Sequence, residues 1–155
     1  MATLYIDAPE NKNQFKTVAA AVYKTLGQVD PLKAEIVYLN AEEMQKLNAS
    51  SRGVDSVTDV LSFPSIENAR GKVLLKKDNP YCIDGNRLFI GSIALCREKI
   101  ASQAKELGHS EERETVYLTV HGLMHLFGYD HIEENDKKQM REKEKEALSL
   151  LGITE

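Results

Sequence analysis

The sequence predicts an α+β fold, a small mixed β-sheet packed with several α-helices, and three observations carry that prediction. Short alternating or β-branched apolar runs recur through the first two thirds of the chain, and longer segments with helical spacing fill the last third. No repeat, linker or low-complexity tract separates them. At 155 residues the chain is long enough to bury one sizeable core without disulfides or a structural metal, so residues 1–155 are expected to form a single domain.

Each element has its own local signal. Thr3 to Asp7 reads as a short strand, and Asn13 to Leu26 sets Phe15, Val18, Ala19, Val22 and Leu26 at helical offsets before Gly27 stops the helix. Ala34 to Leu39 reads as a second strand. Asn40 with Glu43 three residues on has the pattern of a capping box, opening a short helix to about Leu47. Thr58 to Phe63 is β-rich and ends at Pro64, Val73 to Leu75 offers a short extra piece, and Arg87 to Leu95 alternates as a further strand. Cys96 to Leu107 and Ser110 to Phe127 read as helices, the second with a serine cap and Glu111 and Glu112 in its first turn. Glu133 to Leu150 completes the set as an amphipathic helix whose alternating charges read as an ion-paired surface with no chemistry of its own.

Composition narrows the function classes. A net charge of -4 and a pI near 5.6 argue against coating nucleic acid by bulk electrostatics, and no apolar run is long enough to cross a bilayer. The N-terminus lacks a basic region followed by an apolar stretch, which reads as a cytoplasmic start. Cys82 and Cys96 are too few and too far apart for a disulfide framework or a CxxC pair, and read as reduced thiols.

The informative run is His121-Gly122-Leu123-Met124-His125-Leu126-Phe127-Gly128-Tyr129-Asp130-His131. Residues four apart share one helix face, so His121 and His125 can aim at one point, and Gly128 can end the helix and turn His131 back toward them. On the same helix Val116, Val120, Leu123, Met124 and Phe127 form an apolar stripe, with the two histidines at its edge. Three imidazoles at the spacing of HExxHxxGxxH suit one Zn2+ ion with an open position. Gly122 stands where metalloproteases with that spacing carry their glutamate base. A glycine there has two readings, close helix packing or room for a larger substrate. His109, just before the helix cap, reads as a surface residue.

The chain resembles the YbeY endoribonucleases. The resemblance rests on the histidine run together with Leu47-Asn48, Arg52-Gly53 and Asp55-Ser56-Val57-Thr58-Asp59-Val60-Leu61-Ser62-Phe63-Pro64, in matching order over most of the chain. It implies metal-dependent, single-strand-specific cleavage of RNA, maturation of the 3′ end of small-subunit ribosomal RNA and a role in ribosome quality control. It implies His121, His125 and His131 as zinc ligands, Arg52 as the functional arginine, and ribosomal RNA and the ribosome as partners, with neither DNA nor a membrane among them. At Gly91-Ser92-Ile93 this chain has Ser92 where family members commonly carry an aspartate.

Phosphodiester cleavage builds negative charge on phosphate oxygens, which a guanidinium can hold in pairs. Zinc lowers the pKa of a bound water to roughly 7, so the glutamate base is dispensable. Outside the resemblance, Arg52 reads by default as a surface salt bridge or a solvated loop arginine. Asp130 reads either as a support for a ligand imidazole or as an Asx turn, and Thr58, Asp59 and Ser62 either as sheet-edge hydrogen bonders or as groove residues. Arg70, Lys72, Lys76 and Lys77, with Arg87 and Arg97, form a candidate RNA track for which a solvated loop is the simpler account. Two other functions fit the same run: a metalloprotease, which Gly122 disfavours, and a ribosome-assembly module with a structural zinc.

Overall fold

The computed structural model describes residues 2–153. The elements run β1 (Leu4–Asp7), α1 (Lys12–Thr25), β2 (Leu32–Leu39), α2 (Ala41–Arg52), β3 (Val60–Pro64), β4 (Ile83–Asp84), β5 (Arg87–Cys96), α3 (Arg97–Leu107), α4 (Glu111–Leu126) and α5 (Glu134–Leu150). Two single 3-10 turns, Lys76–Asp78 and Pro80–Cys82, precede β4. The sheet is mixed, in the order β1-β2-β5-β3: β2 lies parallel to β1 and β5, while β3 and β4 run antiparallel to β5. The α+β class expected from the sequence is the one observed.

The core lies between one face of this sheet and α1, α4 and α5. Phe15, Val18 and Val22 of α1, Ile36 of β2, Ile90 and Ile93 of β5, and Val120, Leu123 and Met124 of α4 are all almost fully removed from water. A second, smaller cluster of Met44, Leu61, Ala94 and Cys96 packs α2 on the opposite face. Because successive strand side chains alternate faces, β5 feeds both clusters and is buried nearly throughout.

Strand β2 starts at Leu32, two residues before the Ala34 of the sequence reading, β1 and α1 shift by one residue, and larger differences occur elsewhere. The capping box at Asn40 and Glu43 forms as read, but α2 continues past Leu47 to Arg52, where Gly53 in the left-handed conformation caps it. That extension carries Arg52 on the last helical turn. Strand β3 starts at Val60 and includes Pro64, tolerated because β3 ends the strand order, at the sheet edge. Val73 to Leu75 forms no strand; Leu74 is buried, with its N–H held by the Gln28 side chain at 2.9 Å. Cys96 ends β5 instead of opening α3.

Candidate metal centre

Helix α4 is positioned by its ends. Ser110 caps it, its side chain accepting from the Arg113 N–H at 3.0 Å, with Glu111, Glu112 and Glu114 in the first turn. At the other end the Gly128 N–H donates to His125 O and the Tyr129 N–H to Met124 O, each at 3.0 Å, the paired bonds of a Schellman turn. Gly128 has φ +90, and a Cβ there would stand 2.5 Å from the Arg70 backbone nitrogen. Only glycine meets both demands, and the turn redirects the chain so that His131 comes back over α4.

The result gathers His121, His125 and His131, one nitrogen of each lying within 4.8 Å of the others. The ring centroids of His121 and His125 are 4.8 Å apart, and those of His125 and His131 5.1 Å. His121 and His125 are half-buried and His131 is exposed.

Hydrogen bonding fixes which nitrogens face inward. His125 Nδ1 lies 2.9 Å from the Tyr129 carbonyl, which can only accept, so Nδ1 carries the proton and Nε2 carries a lone pair. His121 Nδ1 lies 2.7 Å from a Glu144 carboxylate oxygen, which accepts from it and leaves Nε2 facing inward. The two Nε2 atoms face each other at 3.2 Å. With neither nitrogen protonated, the two lone pairs would repel, and a cation held between them turns that repulsion into coordination. Zinc–nitrogen bonds of about 2.0–2.1 Å at the tetrahedral angle put ligand nitrogens about 3.3–3.4 Å apart, so this donor pair fits the ion, with His131 the looser third member. Burial, reinforced by the neighbouring His121 and His131 rings, pushes the His125 imidazole down to about 4, so it is neutral at pH 7, the form a metal requires.

The trio opens on a groove of about 930 Å³ that is also lined by Asn48, Arg52, Thr58, Asp59, Ser62 and Ile132. Arg52 therefore shares a groove with the histidines. Its Nη2 donates to the Ser62 carbonyl at 2.6 Å and its guanidinium stands 5.6 Å from the Phe63 ring centre, contacts that hold the head group in place. Thr58, Asp59 and Ser62 line the groove while also bonding locally. Asp59 accepts from the Val60 N–H and from Gln103, and the Ser62 hydroxyl donates to the Gly122 carbonyl at 3.3 Å. A Cβ on Gly122 would meet Ile93 at 3.0 Å and the Ser62 hydroxyl at 3.2 Å. Of the two readings of that glycine, close packing is the one its surroundings support.

Other residues singled out in the sequence divide between places it indicated and places it did not. Asp130 accepts from the Ile132 N–H at 3.3 Å, the Asx-turn alternative, and pairs with Arg70 at 2.8 Å. Arg70 also binds the Gly128 carbonyl and Asp136, Arg87 binds the carbonyls of Thr3 and Leu32, and Arg97 pairs with Glu10 over the Tyr38 ring. Three members of the candidate RNA track are thus tied into the fold. His109 is not a free surface residue: its side chain is 22% exposed and bonds the buried Glu114 at 2.8 Å. Ser92 lies on β5 beside Glu35 and outside the residues lining the groove. Glu144 is the residue the sequence reading missed, since the charge alternation of α5 hid a glutamate only 7% exposed; its place beside Met140, Ala147 and Leu148 on the buried stripe of α5 was the available signal. Cys82 and Cys96 are free thiols.

The sequence profile of the family described as Endoribonuclease YbeY matches residues 2–152. The chain belongs to the YbeY endoribonuclease family. It is 38% identical to the YbeY endoribonuclease of Clostridium acetobutylicum over 164 aligned positions, covering 97% of this chain and 98% of that protein. With the Caldicellulosiruptor bescii YbeY it shares 41% identity over 131 positions, 84% of this chain and 80% of the relative. A solution structure from Thermotoga maritima superposes with a TM-score of 0.59 at 25% identity, covering 96% of this chain and 89% of that one. Among the described residues no helix is long and apolar enough to cross a membrane.

Proposed function

We propose that this YbeY family member is a zinc-dependent endoribonuclease that cleaves single-stranded RNA, matures the 3′ end of small-subunit ribosomal RNA and serves ribosome quality control in the cytoplasm. The observation that carries the reading is the groove shared by Arg52 and a histidine trio with two Nε2 atoms turned toward each other, in a chain whose relatives are endoribonucleases. His121, His125 and His131 hold the ion, which supplies Lewis acidity for phosphodiester cleavage.

The protein's own groups do the rest. Attack on phosphorus concentrates negative charge on the non-bridging oxygens, and the planar guanidinium of Arg52 binds two such oxygens at once. Ser62 O and the Phe63 ring hold that head group before substrate arrives, so little ordering is left for the reaction itself. A single strand, whose phosphates and bases are accessible together, is the substrate this reading assigns to the groove. With a net charge of -4, recognition in this reading rests on the local constellation and on the ribosome as partner, not on a general attraction for nucleic acid.

The test compares three proteins on a labelled single-stranded RNA. Wild type cleaves it, His125→Ala loses both metal and cleavage, and Arg52→Glu loses cleavage by about 100-fold or more while retaining its metal. Equal cleavage by all three would refute the assignment, and loss of metal in Arg52→Glu would refute the role given to Arg52.

A further inference from the structure

Glu144 is the one carboxylate within hydrogen-bonding distance of a trio imidazole among the described residues, and it comes from a different element. It sits on α5, only 7% exposed, with its oxygen 2.7 Å from His121 Nδ1 on α4. His125 obtains the equivalent support from within its own turn, through the Tyr129 carbonyl. His121 has no such local support, because its own helix uses the nearby carbonyls for its backbone ladder. An imidazole without a partner on one nitrogen exchanges between two neutral tautomers, one of which puts a proton on Nε2 and withdraws it as a ligand. A buried carboxylate at Nδ1 removes that choice, aims the ring and makes Nε2 more basic.

We infer that Glu144 is a positioning residue for the metal centre: it locks His121 in the Nδ1-protonated form and so sets metal affinity from α5. This inference rests on the reading of the trio as a metal site. A purely structural α4–α5 bond would look alike in a stability measurement, so the decisive readouts are tautomer and affinity.

Nitrogen-15 NMR of the histidine rings in metal-stripped wild-type protein is expected to find His121 with its proton on Nδ1. Zinc titration against a competing chelator is expected to show 10- to 100-fold weaker binding in Glu144→Ala, with mixed tautomers at His121 and an unchanged pattern at His125. In Glu144→Gln, whose amide oxygen still accepts, the tautomer is retained and zinc affinity is closer to wild type than in the alanine variant. A folded Glu144→Ala with wild-type zinc affinity overturns the inference. So does a wild-type His121 protonated on Nε2, which decides the matter even where the alanine variant does not fold. Wild-type protein that binds no zinc refutes the metal reading, whereas a wild-type site that binds zinc regardless of residue 144 refutes only the role of Glu144.

Discussion

Among single residues, the nitrogen that each histidine leaves free decides the chemistry of the site. The Tyr129 carbonyl and the Glu144 carboxylate occupy the two Nδ1 atoms, and that leaves the two Nε2 atoms facing each other 3.2 Å apart, close to the separation of two nitrogens sharing one zinc ion. Gly128 is the residue on which this geometry most depends. Gly128→Ala would place a methyl 2.5 Å from a backbone nitrogen at φ +90, and is expected to cost about 1–3 kcal/mol in a urea unfolding curve while loosening the His131 loop. An unchanged midpoint would contradict the role given to that turn. The histidine spacing was legible from sequence because a helix converts an interval of four into a shared face. The partners of those histidines were not. A carbonyl has no sequence signal, and Glu144 stands among Glu142 and Glu146 with nothing but its position on the buried face of α5 to single it out.

At the scale of elements, α5 secures the site from behind at two points. Its middle holds His121 through Glu144, and its first turns hold the His131 loop through Asp136 and Arg70, which in turn binds Gly128 O and Asp130. Arg70→Met is therefore expected to weaken zinc binding about tenfold, measured by chelator competition, while the helical circular dichroism stays at the wild-type level. Zinc affinity unaffected by that change would show that the loop needs no such tie. Most elements were readable from apolar spacing and caps, and the capping box of α2 gave that helix its true start. Its end was obscured because Ser50, Ser51 and Arg52 carry no apolar signal, although Gly53 marks the stop. The basic track failed for another reason: charge in a sequence does not reveal its counter-charge, and Arg70, Arg87 and Arg97 each find partners distant in the chain.

At the scale of the whole molecule, the core that carries α4 is assembled from Leu123, Met124, Leu126 and Phe127 packed on the sheet, independently of the imidazoles. Metal-stripped protein should stay folded, with a melting temperature that rises with free zinc by mass action; unfolding on chelation would mark the ion as structural. Acid acts on the same protein with a definite sign. His125 is near 6.5 when unfolded and about 4 when folded, so the unfolded chain takes up a proton the folded one refuses, and metal-free stability falls as pH drops from about 6.5 toward 4. Asp136, held below the usual carboxylate range by the Arg70 guanidinium, loses its contribution as pH falls further. A urea midpoint constant from pH 7 to 4 would contradict this assignment. The central claim is that three imidazoles hold an ion on which RNA cleavage depends. Its most direct test is the cleavage rate of metal-stripped protein as zinc is returned in known amounts. No cleavage is expected without metal, with full recovery at one equivalent; a stripped protein that cleaves RNA at the original rate would overturn the assignment of the three histidines.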